Sequence, residues 1–186
     1  FGGAVYHFDG QTLSHQVNVP AGPVSLHGDT MLNGGVVRTR SGGTWAVEDF
    51  LANSDGAAIR SSSLDGEDRA IVGGAEAGYV FERSAGDWVQ VAKLTPLDPG
   101  TQAPYDCGVG VALSGATALV ACEDANSFVG HVHAFLLDGG TWQPEGIIAS
   151  GTTGFYDFVS VTIDGDLAAA TFPDDQVVAI ARTAGV

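Results

Sequence analysis

The residues best suited to chemistry are carboxylates set beside aromatic rings. Tyr105-Asp106 and Tyr156-Asp157 repeat one dipeptide 51 residues apart, each just ahead of an apolar run. Glu76, Glu123-Asp124 and Asp174-Asp175 form a second set, each just behind such a run. Carboxylates gathered on one rim could coordinate calcium, which takes six to eight oxygens, or accept hydrogen bonds from sugar hydroxyls beside a tyrosine ring. Asp ahead of a tight strand also suits plain capping of backbone N–H groups. His131 and His133 alternate along one run and point to the same side, but a metal pair needs a third ligand that the sequence does not offer, so an exposed polar stripe is expected. Trp45, Trp88 and Trp142 could stack on sugars, yet their fixed place beside a turn fits packing between units better. The G-x-S-x-G, H-E-x-x-H, C-x-x-C and P-loop patterns are absent, and no strand–helix G-x-G-x-x-G occurs. A non-enzymatic protein is the expectation.

Composition narrows the class of scaffold that holds these groups. The chain has 186 residues, 27 of them glycine, and 22 acidic against 7 basic residues give a net charge of -15. Glycine costs about 1 kcal/mol per helical position relative to alanine, which disfavours long helices. An acidic surface lacks the basic face needed to displace counterions from nucleic acid, and it is repelled by anionic lipid. No apolar run approaches the roughly 20 residues of a membrane span. Apolar residues make up 45% of the chain, enough for a packed core rather than a disordered one.

Turn chemistry repeats along the chain. Gly43-Thr44-Trp45, Gly86-Asp87-Trp88 and Gly140-Thr141-Trp142 each join two strand-like runs, and Asp9-Gly10 joins two more without a tryptophan. A second hairpin recurs between them, centred on His27-Gly28, Asp65-Gly66, Ser114-Gly115 and Asp164-Gly165, with glycine spacings of 38, 49 and 50 residues. Such dipeptides suit two-residue hairpin loops that need positive φ. No amphipathic helix intervenes, so the strands are antiparallel. Four short strands per 40–50 residues is the period of a β-propeller blade, whereas a sandwich has no reason to repeat its turns. The reading is therefore an all-β propeller of four-stranded antiparallel blades. It forms a single region, 1–186, with repeats at about 1–44, 45–87, 88–141 and 142–186. Seventeen strands are expected: a closing hairpin, three full blades, and three strands of another. That count implies a chain cut in mid-blade at both ends, part of a larger ring of about seven blades.

These motifs resemble the FG-GAP repeat of bacterial surface proteins, similar to the propeller of integrin α subunits. Trp88 leads to Asp106-Cys107-Gly108-Val109-Gly110-Val111, then Gly115 and Phe135; Trp142 leads to Asp157-Phe158-Val159-Ser160-Val161, then Gly165-Asp166; Gly73-Gly74-Ala75 matches the Gly-Ala step. The resemblance implies a propeller with a role in surface adhesion. The family's Asp-x-Asp-x-Asp-Gly calcium loops are missing here, so no cofactor is required, although the rim carboxylates are of a type that takes calcium.

Placing the hairpin loop at Ser114-Gly115 sets Leu113 against Ala116 and, counting outward, Cys107 against Cys122. Directly opposed Cβ atoms lie about 4.5–5.5 Å apart, within reach of a disulfide, which favours an oxidising, extracellular or cell-surface location. In a propeller, the loops bearing Glu76, Glu123, Asp124, Asp174, Asp175, Tyr105, Asp106, Tyr156 and Asp157 share one face. The expected function is a secreted binding or adhesion module whose face takes a protein or glycan, with no nucleic acid and no membrane insertion. The alternatives are an assembly subunit that self-associates through blade edges, and a polysaccharide lyase or glycoside hydrolase using the acidic rim.

Overall fold

A computed structural model of the chain describes residues 2–74, 76–96, 105–124, 129–152, 159–172 and 176–181, with backbone only at Tyr105, Asp124 and Gln176. Among these residues all regular structure is β, in seventeen strands. β1 (Gly3–Phe8) and β2 (Leu13–Val19) form a separate two-stranded sheet. The first blade is β3 (Val24–His27), β4 (Thr30–Asn33), β5 (Val36–Ser41) and β6 (Thr44–Phe50). The second is β7 (Ser61–Asp65), β8 (Arg69–Gly74), β9 (Ala77–Ser84) and β10 (Asp87–Leu94). The third is β11 (Tyr105–Ser114), β12 (Thr117–Asp124), β13 (Val129–Asp138) and β14 (Thr141–Thr152). The fourth sheet holds three strands, β15 (Ser160–Asp164), β16 (Leu167–Phe172) and β17 (Gln176–Ala181). Every pairing is antiparallel between sequence neighbours, so each blade is a meander.

The turns explain the meander. Between the third and fourth strands, both loop residues have positive φ: Gly42 and Gly43 (57° and 82°), Gly139 and Gly140 (54° and 82°), and Ala85 and Gly86 (53° and 97°). This is the I′ pattern, whose twist matches that of the flanking strands. Between the first and second strands the glycine is the first loop residue, as in Gly28-Asp29, Gly115-Ala116 and Gly165-Asp166; the second blade has a three-residue loop instead, between Asp65 and Arg69. In the second and third blades the residue before the glycine also serves the next blade. Asp65 accepts a hydrogen bond from the Gly115 N–H at 3.0 Å, and Ser114 Oγ accepts one from the Gly165 N–H at 3.0 Å.

The four blades form a four-bladed β-propeller. Their inner strands β3, β7, β11 and β15 surround one cavity of about 430 Å³, with Val24 of the first blade and Val161 of the fourth on its wall. An arc of a seven-bladed ring would hold those two strands far apart, so this arrangement replaces the larger ring expected from the strand count. The backbones approach closely at one end of the inner strands. A Cβ on Gly73 would lie 2.1 Å from the Gly108 carbonyl oxygen, and one on Gly108 would lie 2.4 Å from that of Gly74. Gly108 also needs φ of 77°. The Gly73-Gly74 step is thus a contact between the second and third blades.

Apolar packing between blades forms the core. Trp88 of β10 is 7% exposed and shares one buried cluster with Leu32 and Val37 of the first blade and Leu64, Ala70 and Phe81 of its own. Trp142 of β14 packs against the next such cluster, built from Ile71, Val80, Leu113, Ala118 and Phe135. Trp88 and Trp142 therefore each join their blade to the preceding one. Arg83 lies 5.3 Å from the centroid of Trp88, and Arg69 lies 5.9 Å from that of Trp142.

Cys107 and Cys122 are paired opposite one another and joined by a disulfide. The pair is the expected one, but the register at the turn is not. Ser114 faces Thr117 and Leu113 faces Ala118, two residues out from the expected alignment; a bulge between Cys107 and Gly110 absorbs the difference. The disulfide is consistent with an oxidising environment. No described helix is long and apolar enough to cross a membrane.

Truncating the buried indole should cost more than truncating the half-buried one of the first blade. Trp88→Ala is expected to lower unfolding free energy by about 3–5 kcal/mol and Trp45→Ala by about half as much or less, read from urea midpoints at constant slope.

Candidate functional site

The inner cavity lies where the first strands of the four blades begin. Val24, Val111 and Val161 line it, together with Arg60, Ser61, Ser62 and Ser160. Strand register accounts for this set. Residues that follow the incoming loops alternate between the cavity and the blade faces, since successive strand side chains point to opposite sides. Arg60, Val109 and Val159 hold matching places ahead of the paired residues Ser61, Gly110 and Ser160. Arg60 is thus the one cation in an otherwise apolar ring of equivalent positions.

Arg60 is neutralised in place. Its Nη1 and Nη2 both donate to the Asp106 carboxylate, the second at 2.8 Å. This charge-assisted fork crosses from the second blade to the third. It raises the proton affinity of Arg60, chiefly through the bond to Asp106, against partial desolvation and with help from Glu123. Glu123 faces Asp106 across the β11–β12 pair and accepts the Val159 N–H at 3.2 Å, tying the third blade to the fourth. Ser61 Oγ donates to the Gly108 carbonyl at 2.9 Å. Ser62 Oγ is buried and has no protein hydrogen-bond partner.

A second polar cluster sits farther out near the loop that leads into β7. Tyr79 O–H donates to Asp55 Oδ2 at 2.8 Å, and Lys93 Nζ donates to the same oxygen at 2.7 Å. These two bonds, Lys93 first, hold the Asp55 carboxyl below its usual range. Burial, then the bond to Asp55, pushes the Tyr79 phenol up to about 12. Lys93 also lies 5.9 Å from the Tyr79 ring centroid.

Of the rim residues expected from sequence, the structure brings Asp106 and Glu123 together and binds both into contacts between blades. Tyr105 and Asp124 oppose each other in the same ladder. Glu76 is exposed at the β8–β9 turn with φ of 74°, and its charge contributes to the rise at Tyr79 rather than joining the Asp106 pair. Tyr156, Asp157, Asp174 and Asp175 lie outside the described residues. His131 and His133 do lie side by side, with centroids 6.4 Å apart, and His131 Nδ1 is 2.9 Å from Ser150 Oγ. His133 is only 3% exposed, so the expected exposed stripe is not what forms: the inner part of β13 is covered by the neighbouring strands. Among the described residues no group of three His, Cys, Asp or Glu side chains is placed to hold a metal.

Arg60, Ser62 and Asp55 were missed as site residues by sequence reading. The signal for Arg60 was available in the repeat, where it replaces the valines of the next two blades. Nothing comparable marks Asp55, whose partners lie 24 and 38 residues away.

Comparisons with known proteins bear on the fold. No family model matches the sequence, and no curated protein matches it. The crystal structure of the computationally designed Ika4 protein is similar with a TM-score of 0.55 over 86% of this chain and 89% of that one, at 11% identity. At that identity the likeness concerns the fold alone.

The neutral Tyr79 phenol is the form that donates to Asp55, and folding raises its pKa. The resulting stability is complete below the ordinary tyrosine value of 10.0 and is lost as pH rises toward about 12. Urea midpoints measured between those two pH values should fall more steeply for the native chain than for Tyr79→Phe. Equal slopes would contradict the assignment.

Proposed function

We propose that the chain is a non-enzymatic, extracellular binding or adhesion module that takes a protein or glycan on the face where the inner strands begin. The central cavity receives a neutral, hydroxyl-bearing group such as a sugar ring. The observation that carries this reading is a cavity of about 430 Å³ whose lining sets Val24, Val111 and Val161 beside Ser61, Ser62 and Ser160. Ligand pockets commonly pair apolar walls with a few polar groups that fix orientation. Arg60 is charge-balanced by Asp106, which favours a neutral ligand over an anion. The disulfide and the resemblance to FG-GAP surface proteins support an extracellular setting.

Among the described residues, the contacts of Asp106 and Glu123 argue against a role for them in the hydrolase or lyase alternative. Asp106 is held by Arg60 and Glu123 by the Val159 N–H, so neither is poised as a general acid. Calcium is not part of the proposal for the same reason.

A glycan array with the native chain is expected to retain a defined set of saccharides, with retention at least tenfold weaker for Ser62→Val. That substitution replaces the hydroxyl with the isopropyl group that the other three blades carry at the equivalent place. Retention unchanged in Ser62→Val would move the site off the cavity, and no retained saccharide on the array would remove the glycan version of the reading.

A further inference from the structure

The geometry points to a second binding site, independent of the cavity above. We propose that the fourth blade is a receptor for an added β-strand that carries a tryptophan. The strand would pair antiparallel with the outer edge of β17, and its indole would enter an apolar slot between the third and fourth blades.

The slot is identified by register. In the second blade, Leu64, Ala70 and Phe81 lie in one transverse row; Leu113, Ala118 and Phe135 form the equivalent row of the third. Each row, with Leu32 and Val37 or Ile71 and Val80 of the preceding blade, belongs to the cluster that packs Trp88 or Trp142. Ile163, Ala168 and Ile180 are the same row of the fourth blade, and Leu119 and Ala134 are the matching residues of the third. All five line a cavity of about 160 Å³. The filled interfaces each receive an indole from a fourth strand. Among the described residues the fourth sheet consists of β15 to β17, and no indole enters its slot.

Size, chemistry and edge all suit that occupant. A dry, apolar cavity of about 150 Å³ is large enough to bind benzene. The outward edge of β17 carries no partner strand among the described residues, and its sequence, Gln176–Ala181, has no charge and no proline to blunt it. Strand addition of this kind draws affinity from main-chain hydrogen bonds and specificity from a side-chain pocket. Exposed Glu145 and Asp166 border the slot, which favours a strand with a lysine or arginine near its indole.

The chain itself contains one competing segment. Phe8 faces Leu13 one step beyond the Asp9–Thr12 pair, just as Arg83 faces Trp88 one step beyond Ser84–Asp87. Leu13 therefore stands at the tryptophan position of a hairpin, but it is 69% exposed and its strand pairs with β1. To enter the slot in the correct orientation, β2 would have to exchange β1 for β17.

A fluorescein-labelled peptide with the sequence of residues 86–95, which includes Trp88 and Lys93, tests the proposal by anisotropy with the 186-residue chain. Saturable binding is expected, at least tenfold weaker for the peptide with Trp88→Ala and for the protein with Ala168→Leu, which fills the slot. The peptide substitution cannot unfold the protein, so the test survives if Ala168→Leu does not fold. Binding that is indifferent to the peptide's tryptophan would overturn the proposal, as would no binding at millimolar protein. Binding seen only with Leu13→Glu protein would also overturn it, and would assign the slot to β2 instead.

Discussion

Each blade of this protein is a small antiparallel sheet that cannot bury its own face, and the arrangement depends on a large side chain wedged between one sheet and the next. Trp88 shows the interaction in full. It leaves the fourth strand of the second blade and joins a buried cluster of aliphatic and aromatic residues that spans two blades. Fully burying a large apolar side chain is worth about 1.5–3 kcal/mol in removed surface alone, and the loss on truncation is greater because a cavity remains. A two-stranded hairpin without such a wedge is marginal in water. The β1–β2 sheet, with Tyr6, Phe8 and Leu13 all exposed, is in that condition.

The inner strands meet a different constraint. There the blades touch backbone to backbone, and side chains are excluded at Gly73 and Gly108. Close approach brings polar groups of adjacent blades within bonding distance, which is why Asp106 reaches Arg60 and Glu123 reaches the Val159 N–H. The same carboxylates that look available for catalysis in the sequence are used to fasten blades. Their partners Arg60 and Val159 also line the central cavity, together with Ser61, Ser62 and Ser160.

Much of this was legible in the repeat. Turn glycines at fixed offsets announce strand boundaries, because each turn type demands positive φ at particular places, and so the seventeen strands and the Cys107–Cys122 pair could be read. The pair was reached through a register two residues wrong, since a bulge next to Gly108 leaves no mark in the hydrophobic pattern. Blade number was not legible, because curvature is set by packing between sheets and not by strand count. Nor were the partners of Asp55 or Asp106, which are fixed by contacts across blades rather than along the chain. The burial of His133 escaped for the same reason, its neighbours being strands on either side of β13.

The wedge account has its sharpest consequence where the wedge is missing. Methyl-resolved NMR of the chain during titration with free indole reads it directly. The account predicts saturable shifts concentrated on the methyl groups of Leu119, Ile163, Ala168 and Ile180, with little change at Leu64 and Leu113, where tryptophan already fills the space. Shifts spread evenly over all three of these interfaces, or none at the slot between the third and fourth blades, would contradict it.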